Sequence, residues 1–103
     1  MSRTITKVYC TNYKETEEKI LEILKENEFE QILNDTEIVW MNWQIIGEKM
    51  LKYYFSGNYL TITAWVTLHA YGCEEHCIDD PTGARPLIEP FIEIVEQIKK
   101  ATR

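Results

Sequence analysis

The dipeptide Gly57-Asn58 constrains the fold of this chain more than any other feature, because it separates two long segments with alternating side chains. Glycine and asparagine tolerate the positive φ angles that a two-residue hairpin turn requires. Residues 49–56 and 59–71, on either side of the turn, are rich in aromatic and β-branched side chains. The pattern predicts an antiparallel hairpin with Ser56 opposite Tyr59.

This register sorts the hairpin side chains onto two faces of a sheet. One face is apolar throughout and is the predicted core face. The other face mixes threonines with large side chains, and its predicted binding surface consists of Met50, Tyr54, Thr63, Trp65 and Thr67. Apolar patches of this kind are typical of partner or ligand surfaces. They predict a homodimer paired through the open sheet face, or a site for a protein or small-molecule partner; alternatively, these side chains shield the sheet of a monomer.

Two amphipathic helices are predicted, one near each end of the chain. The first spans residues 13–27, with Asn12 as the N-terminal cap and Asn27 as a left-handed C-terminal cap. The second spans residues 87–102, and Pro90 favours a start near Ile88. The apolar stripe of this second helix is Leu87, Ile88, Phe91, Ile92, Val95 and Ile98.

Three further strands complete the predicted sheet. Residues 4–10 form the first, and residues 29–33 pair with residues 36–43 around Asn34-Asp35, with Leu33 opposite Thr36. The predicted order is strand, helix, four strands, helix. The predicted fold class is therefore α+β, a single domain over residues 1–103 with an antiparallel sheet and two helices on one face. This order is similar to one half of the TATA-binding-protein-like fold, and the similarity is one of topology alone.

Residues 72–86 form a predicted long acidic loop, the one part of the chain without clear periodicity. Thiolate and imidazole are the ligands that zinc prefers, and this region offers four of them: His69, Cys73, His76 and Cys77. Their spacing within nine residues differs from zinc motifs that bring two pairs together from distant segments. The same cluster offers a second hypothesis, with a cysteine nucleophile and a histidine base. The alternative is a solvated connection with an ordinary turn.

Charge and composition limit the classes of function. The chain has 17 acidic and 11 basic side chains, a formal net charge of −6, and no basic face that would favour nucleic acid or an anionic membrane. No apolar run approaches the ~20 residues of a membrane span. The first residues lack the apolar stretch of a secretory signal, which predicts a cytoplasmic protein. A non-catalytic interaction or ligand-binding module is the resulting prediction, with a zinc or thiol-based protein as the alternative.

Overall fold

The chain folds into one antiparallel six-stranded sheet with two helices on one face. The structure, a computed structural model, describes residues 3–69, 72, 74–80 and 84–102. Its elements in chain order are β1 (Thr4–Tyr9), α1 (Tyr13–Glu26), β2 (Glu30–Asn34), β3 (Glu37–Gln44), β4 (Gly47–Ser56), β5 (Tyr59–Leu68), β6 (Glu75–Cys77) and α2 (Arg85–Lys100). The predicted α+β class is confirmed. The TATA-binding-protein-like order predicts four strands between the helices, whereas the structure has five.

The sheet is built around β5. Its spatial order is β1-β5-β4-β3-β2, and β6 pairs with β5 beyond the end of β1. The predicted register of the β4–β5 hairpin is confirmed, with Ser56 opposite Tyr59. β1 pairs with the first part of β5 and β6 with the last part, so these two short strands follow one another along the same edge. The Thr4 hydroxyl links them, because it accepts a hydrogen bond from the Ile78 amide and donates one to Asp79.

The β2–β3 hairpin forms as predicted, but its pairing differs from the predicted register by two residues. Leu33 lies opposite Ile38 rather than Thr36, and Asn34 pairs with Glu37. The turn residues are therefore Asp35 and Thr36, with Asp35 at φ 56°. Short acidic side chains adopt this left-handed conformation more easily than most. Because the error is an even number of residues, each side chain stays on its predicted face.

The ends of both helices differ from the prediction. Asn12 donates its side-chain amide to Glu15 rather than capping the backbone of α1. Asn27 is not left-handed at φ −99°; its side chain donates to the Ile23 carbonyl, and Glu28 takes the positive φ of 62°. In α2 the predicted start near Ile88 is wrong. The helix begins at Arg85 and contains Pro90, since loss of one hydrogen bond near the start leaves the rest of the helix intact.

The main core lies between the two helices and the sheet. α1 contributes Ile20 and Leu24, and the central strands contribute the apolar face that the hairpin pattern predicts. The buried side chains of α2 include Ile94, whereas Ile92, predicted in the stripe, is 37% exposed. Ile92 therefore lies at the border of the buried face of α2.

Lys49 is a charged side chain within this apolar face. It lies between Asn42 and Val66 in the sheet and is only 5% exposed. Within the described ranges of the chain it forms neither an ion pair nor a hydrogen bond through its side chain. Loss of solvent around the ammonium group lowers the pKa of Lys49 below its usual value of 10.5.

Lys49→Met is therefore expected to stabilise the protein by about 1–2 kcal/mol at pH 7, because a largely buried lysine side chain without an ion-pair partner among the described residues is replaced by an apolar one. The folded state binds fewer protons than the unfolded state between the lowered pKa and 10.5. The wild type should thus gain stability as the pH rises through that window, and the variant should not. Urea unfolding at pH 7 and pH 9.5 measures both effects, with Lys14→Met on exposed helix surface as the control. A variant less stable than the wild type at pH 7 would contradict the expectation.

Candidate functional site

The sheet face opposite the helices carries all five residues of the predicted binding surface. The pairing places Met50 beside Trp65, Lys52 beside Thr63 and Glu48 beside Thr67. Most of these side chains are less exposed than an open binding surface requires. Trp65 is 1% and Met50 2% exposed, Thr63 and Thr67 are also buried, and only Tyr54 is open to solvent at 56%. Four of the five positions are covered by the chain itself.

A second apolar cluster explains part of this burial. Val39, Met50 and Trp65 pack together on the side of the sheet that has no helix, with Ile32 and Met41 at its border. Cross-strand pairing brings these side chains together, since Met41 lies opposite Met50 and Met50 lies opposite Trp65. The sheet therefore has a core on both faces.

Arg3 covers this second cluster. Its guanidinium carbon lies 3.7 Å from the centroid of the Trp65 ring, a cation–π contact. Its nitrogens donate to both carboxylate oxygens of Glu75, at 2.9 and 2.7 Å, and to both of Glu37, at 2.9 and 2.8 Å. Lys52 donates to Glu37 as well. We call Arg3, Glu37, Glu75 and Lys52 the ionic lid.

Hydrogen bonds within the ionic lid favour the charged forms of Arg3 and Glu37. Hydrogen bonds from Arg3, and then from Lys52, lower the pKa of Glu37 from 4.5 to about 2. The two carboxylates in turn raise the pKa of Arg3. Each of these side chains is about a quarter to a third exposed, apart from Lys52 at 38%, so water screens the interactions in part. At neutral pH Arg3 and Glu37 are therefore charged, and Arg3 shields Trp65 from solvent.

Beyond the lid, the same sheet face stays open near the β4–β5 turn. The exposed side chains there come from β1, β4 and β5, and we call them the tyrosine patch: Ile5 (54% exposed), Tyr9 (62%), Tyr54 (56%) and Tyr59 (49%). Tyr9 and Tyr59 are cross-strand neighbours whose rings meet edge to face at 6.0 Å. Tyr54 lies diagonally across from Tyr59, within reach of an aromatic ring. The three tyrosines form an amphipathic surface with three phenol groups, and Ile5 lies on the same face further along β1.

The three predicted metal ligands that the structure describes, His69, His76 and Cys77, have separate surroundings. His69 follows β5, with Nδ1 2.9 Å from the Ile45 carbonyl oxygen and Nε2 3.1 Å from Glu48. In β6, His76 lies opposite Val66 on the helix face, and Cys77 lies opposite Trp65 on the other face. Neighbouring residues of a strand alternate in this way, which separates the two side chains. Cys73 lies outside the described residues, and the described part of the chain holds no group of three or more metal-ligating side chains.

The titration of these side chains bears on thiol chemistry as well. The Asp79 carboxylate accepts from the Cys77 thiol and raises the pKa of Cys77, which disfavours the thiolate nucleophile. The Glu48 carboxylate, followed by the Ile45 carbonyl, raises the pKa of His69. His69 and Cys77 therefore interact with different acidic partners, Glu48 and Asp79. Cys10 and Cys77 are free thiols.

The ionic lid is the feature that sequence reasoning missed. Arg3 is separated from Glu37 by 34 positions and from Glu75 by 72. No short motif connects residues at such distances. The alternation of side chains along the strands gives one indication of the lid. It places Glu37 and Lys52 on the same face of the sheet as Trp65.

Comparison of the chain with protein-family models, with curated proteins and with solved structures gives no match. Neither helix, over the residues that the structure describes, has the length and apolar character needed to cross a membrane.

Proposed function

We propose that this protein is a non-catalytic interaction module of the cytoplasm that pairs with a second copy of itself through the tyrosine patch. The observation that carries the proposal is the contrast within one sheet face. The chain covers Trp65 and Met50 with its own ionic lid, yet leaves Ile5 and three tyrosines about half exposed beside them. Tyrosine is enriched at protein interfaces, since it combines a large apolar ring with a hydroxyl group that stays satisfied by water or a partner.

The charge distribution supports a second copy as the occupant. Residues 12–37 and residues 72–96 each carry a net charge of −6, so most surfaces of two copies repel one another. The tyrosine patch is drawn from residues 1–11 and 38–71, which carry +2 and +1. A contact through the patch therefore brings together the least repulsive parts of the two chains. The acidic remainder also disfavours nucleic acid as the partner.

The area of the patch suits a reversible dimer. Tyrosine and similar side chains bury roughly 150–250 Å² each when fully covered, so four half-exposed side chains offer about 400 Å² per chain. Two copies then bury about 800 Å² from these residues, and the neighbouring exposed Lys7 brings the total towards the ~1,000 Å² that a specific interface needs. We expect a dissociation constant in the micromolar range.

Tyr54→Lys is expected to weaken this dimer at least 30-fold, because a charged side chain replaces an aromatic ring within the contact. Sedimentation velocity and native mass spectra over a range of protein concentrations give the dissociation constant. Leu33→Lys is the matched control, since Leu33 is 71% exposed on the opposite side of the sheet, at β2. A wild type that stays monomeric at 1 mM, or an equal effect of both substitutions, would overturn the proposal. A zinc adduct in the same spectra would instead support the metal hypothesis for residues 69–77.

A further inference from the structure

The last two residues of β3 form a free sheet edge. β2 pairs with β3 only as far as Glu30 opposite Met41, and the buried Asn42 donates its side-chain amide to the carbonyls of Asn27 and Glu28. Within the described chain, Trp43 and Gln44 therefore have a strand neighbour on the β4 side alone. Extended peptides bind such edges by adding a strand and using the backbone hydrogen-bonding groups.

A cavity of about 550 Å³ adjoins this edge, where a continuation of β2 would lie. Its volume is in the range of sites that hold a large side chain or a small ligand. The walls come from the end of α1, the start of β2 and the free edge of β3: Lys25, Glu28, Phe29, Glu30, Met41, Asn42 and Trp43.

The chemistry of the cavity favours a cation with an apolar stem. Glu28 and Glu30 are exposed, and neither carboxylate has an ion-pair partner among the described residues. The Trp43 side chain is 58% exposed, which leaves aromatic surface for a guanidinium group to stack on. Lys25 offsets one of the two acidic charges, and the segment around the cavity is strongly acidic. Arginine matches this combination, since its planar group binds carboxylates and stacks on indole.

The backbone at Glu28 adds a separate observation. Glu28 is left-handed at φ 62°, a conformation that costs a residue with a side chain roughly 1–2 kcal/mol and that glycine adopts freely. The strained position therefore carries an acidic residue that lines the cavity rather than the residue that the turn favours.

We propose that this edge binds an extended basic peptide, which pairs with β3 at Trp43–Gln44 and places an arginine side chain in the cavity between the carboxylates and Trp43. The site shares no residue with the tyrosine patch, so its test is independent of dimerisation.

The probe is a blocked synthetic hexapeptide, Thr-Val-Arg-Val-Thr-Val, titrated into the full chain with amide chemical shifts as the readout. We expect saturable shifts of the Trp43 and Gln44 amides with a dissociation constant below 1 mM. The same peptide with glutamate in place of arginine should bind at least tenfold more weakly. Glu30→Gln should weaken the arginine peptide at least threefold, whereas Glu18→Gln, on exposed α1 surface away from the cavity, should leave its affinity unchanged.

Absence of shifts at 1 mM peptide would overturn the proposal. So would shifts confined to the tyrosine patch, or equal affinity for the arginine and glutamate peptides. Equal loss of affinity in Glu30→Gln and Glu18→Gln would also overturn it, because long-range charge, and not the cavity, would then attract the peptide.

Discussion

Gly47→Ala is expected to destabilise the fold by about 3 kcal/mol or more, and is the single substitution with the largest expected effect. A β-carbon at this position would lie 2.1 Å from the carbonyl oxygen of Thr67 and 3.0 Å from a methyl group of Leu87. The Thr67 backbone cannot move aside easily, because β5 is paired on one side with β4 and on the other with β6. Relief of the contact therefore requires β4 and β5 to separate near the start of α2.

Urea unfolding followed by circular dichroism gives the loss for Gly47→Ala, and Gly57→Ala is the matched control. Gly57 has φ +60°, and a β-carbon added there would have no neighbour within 4 Å, so alanine meets strain without a clash. The free energy of unfolding of this control should fall by about 1 kcal/mol. Equal losses in the two variants would mean that the close approach at Gly47 does not limit the packing of β4 on β5.

Arg3→Ala is expected to lower the free energy of unfolding by about 2 kcal/mol, the second largest effect of a single substitution. The substitution removes a cation–π contact to Trp65 and four hydrogen bonds to Glu37 and Glu75, leaving two carboxylates close together over an apolar cluster. Charge-assisted hydrogen bonds of this kind contribute about 1.5–3 kcal/mol each when shielded, and partial exposure reduces that figure. Urea unfolding measures the loss, and increased quenching of tryptophan fluorescence by acrylamide should report the opened cover of Trp65.

Arg3→Lys is the control for charge alone. Lysine keeps the positive charge but cannot bind two carboxylates in the forked geometry of arginine, so about half of the loss should remain. Full recovery by lysine would show that the charge suffices and that the forked geometry contributes nothing.

The pH dependence of the same variants tests the ionic lid directly. The pKa of Glu37 is lowered to about 2, so its contribution is present above its unfolded value of 4.5 and is lost as the pH falls from 4.5 towards 2. The wild type should lose stability across that window. Arg3→Ala should lose less, because Arg3 is the main cause of the lowered pKa and Lys52 the lesser one.

Local patterns predicted most of the fold. Gly57-Asn58 fixed the central hairpin, since a two-residue turn leaves one register in which the apolar side chains share a face. The Asn34-Asp35 turn was placed one residue early, because asparagine and aspartate suit neighbouring turn positions equally well. β6 was missed because three residues in an acidic segment carry no periodic signal.

The candidate site was only partly predictable. The alternation of β4 and β5 placed Tyr54 and Trp65 on the face without helices, which the pairing confirms. Their difference in exposure depends on Arg3, whose partners lie far away in the chain. A periodic pattern gives the direction of a side chain but not what arrives from a distant segment to cover it.

The central position of β5 has a consequence for how the chain folds. The hairpins β2–β3, β3–β4 and β4–β5 join strands that are separated by a few residues. β1 instead pairs with β5, which begins 50 residues after β1 ends at Tyr9. Closing such a long loop costs conformational entropy before the stabilising contacts of β1 can form. We therefore expect β1 to join the sheet after the three hairpins. Arg3 immediately precedes β1, so the ionic lid is expected to close over Trp65 only after β1 has paired with β5.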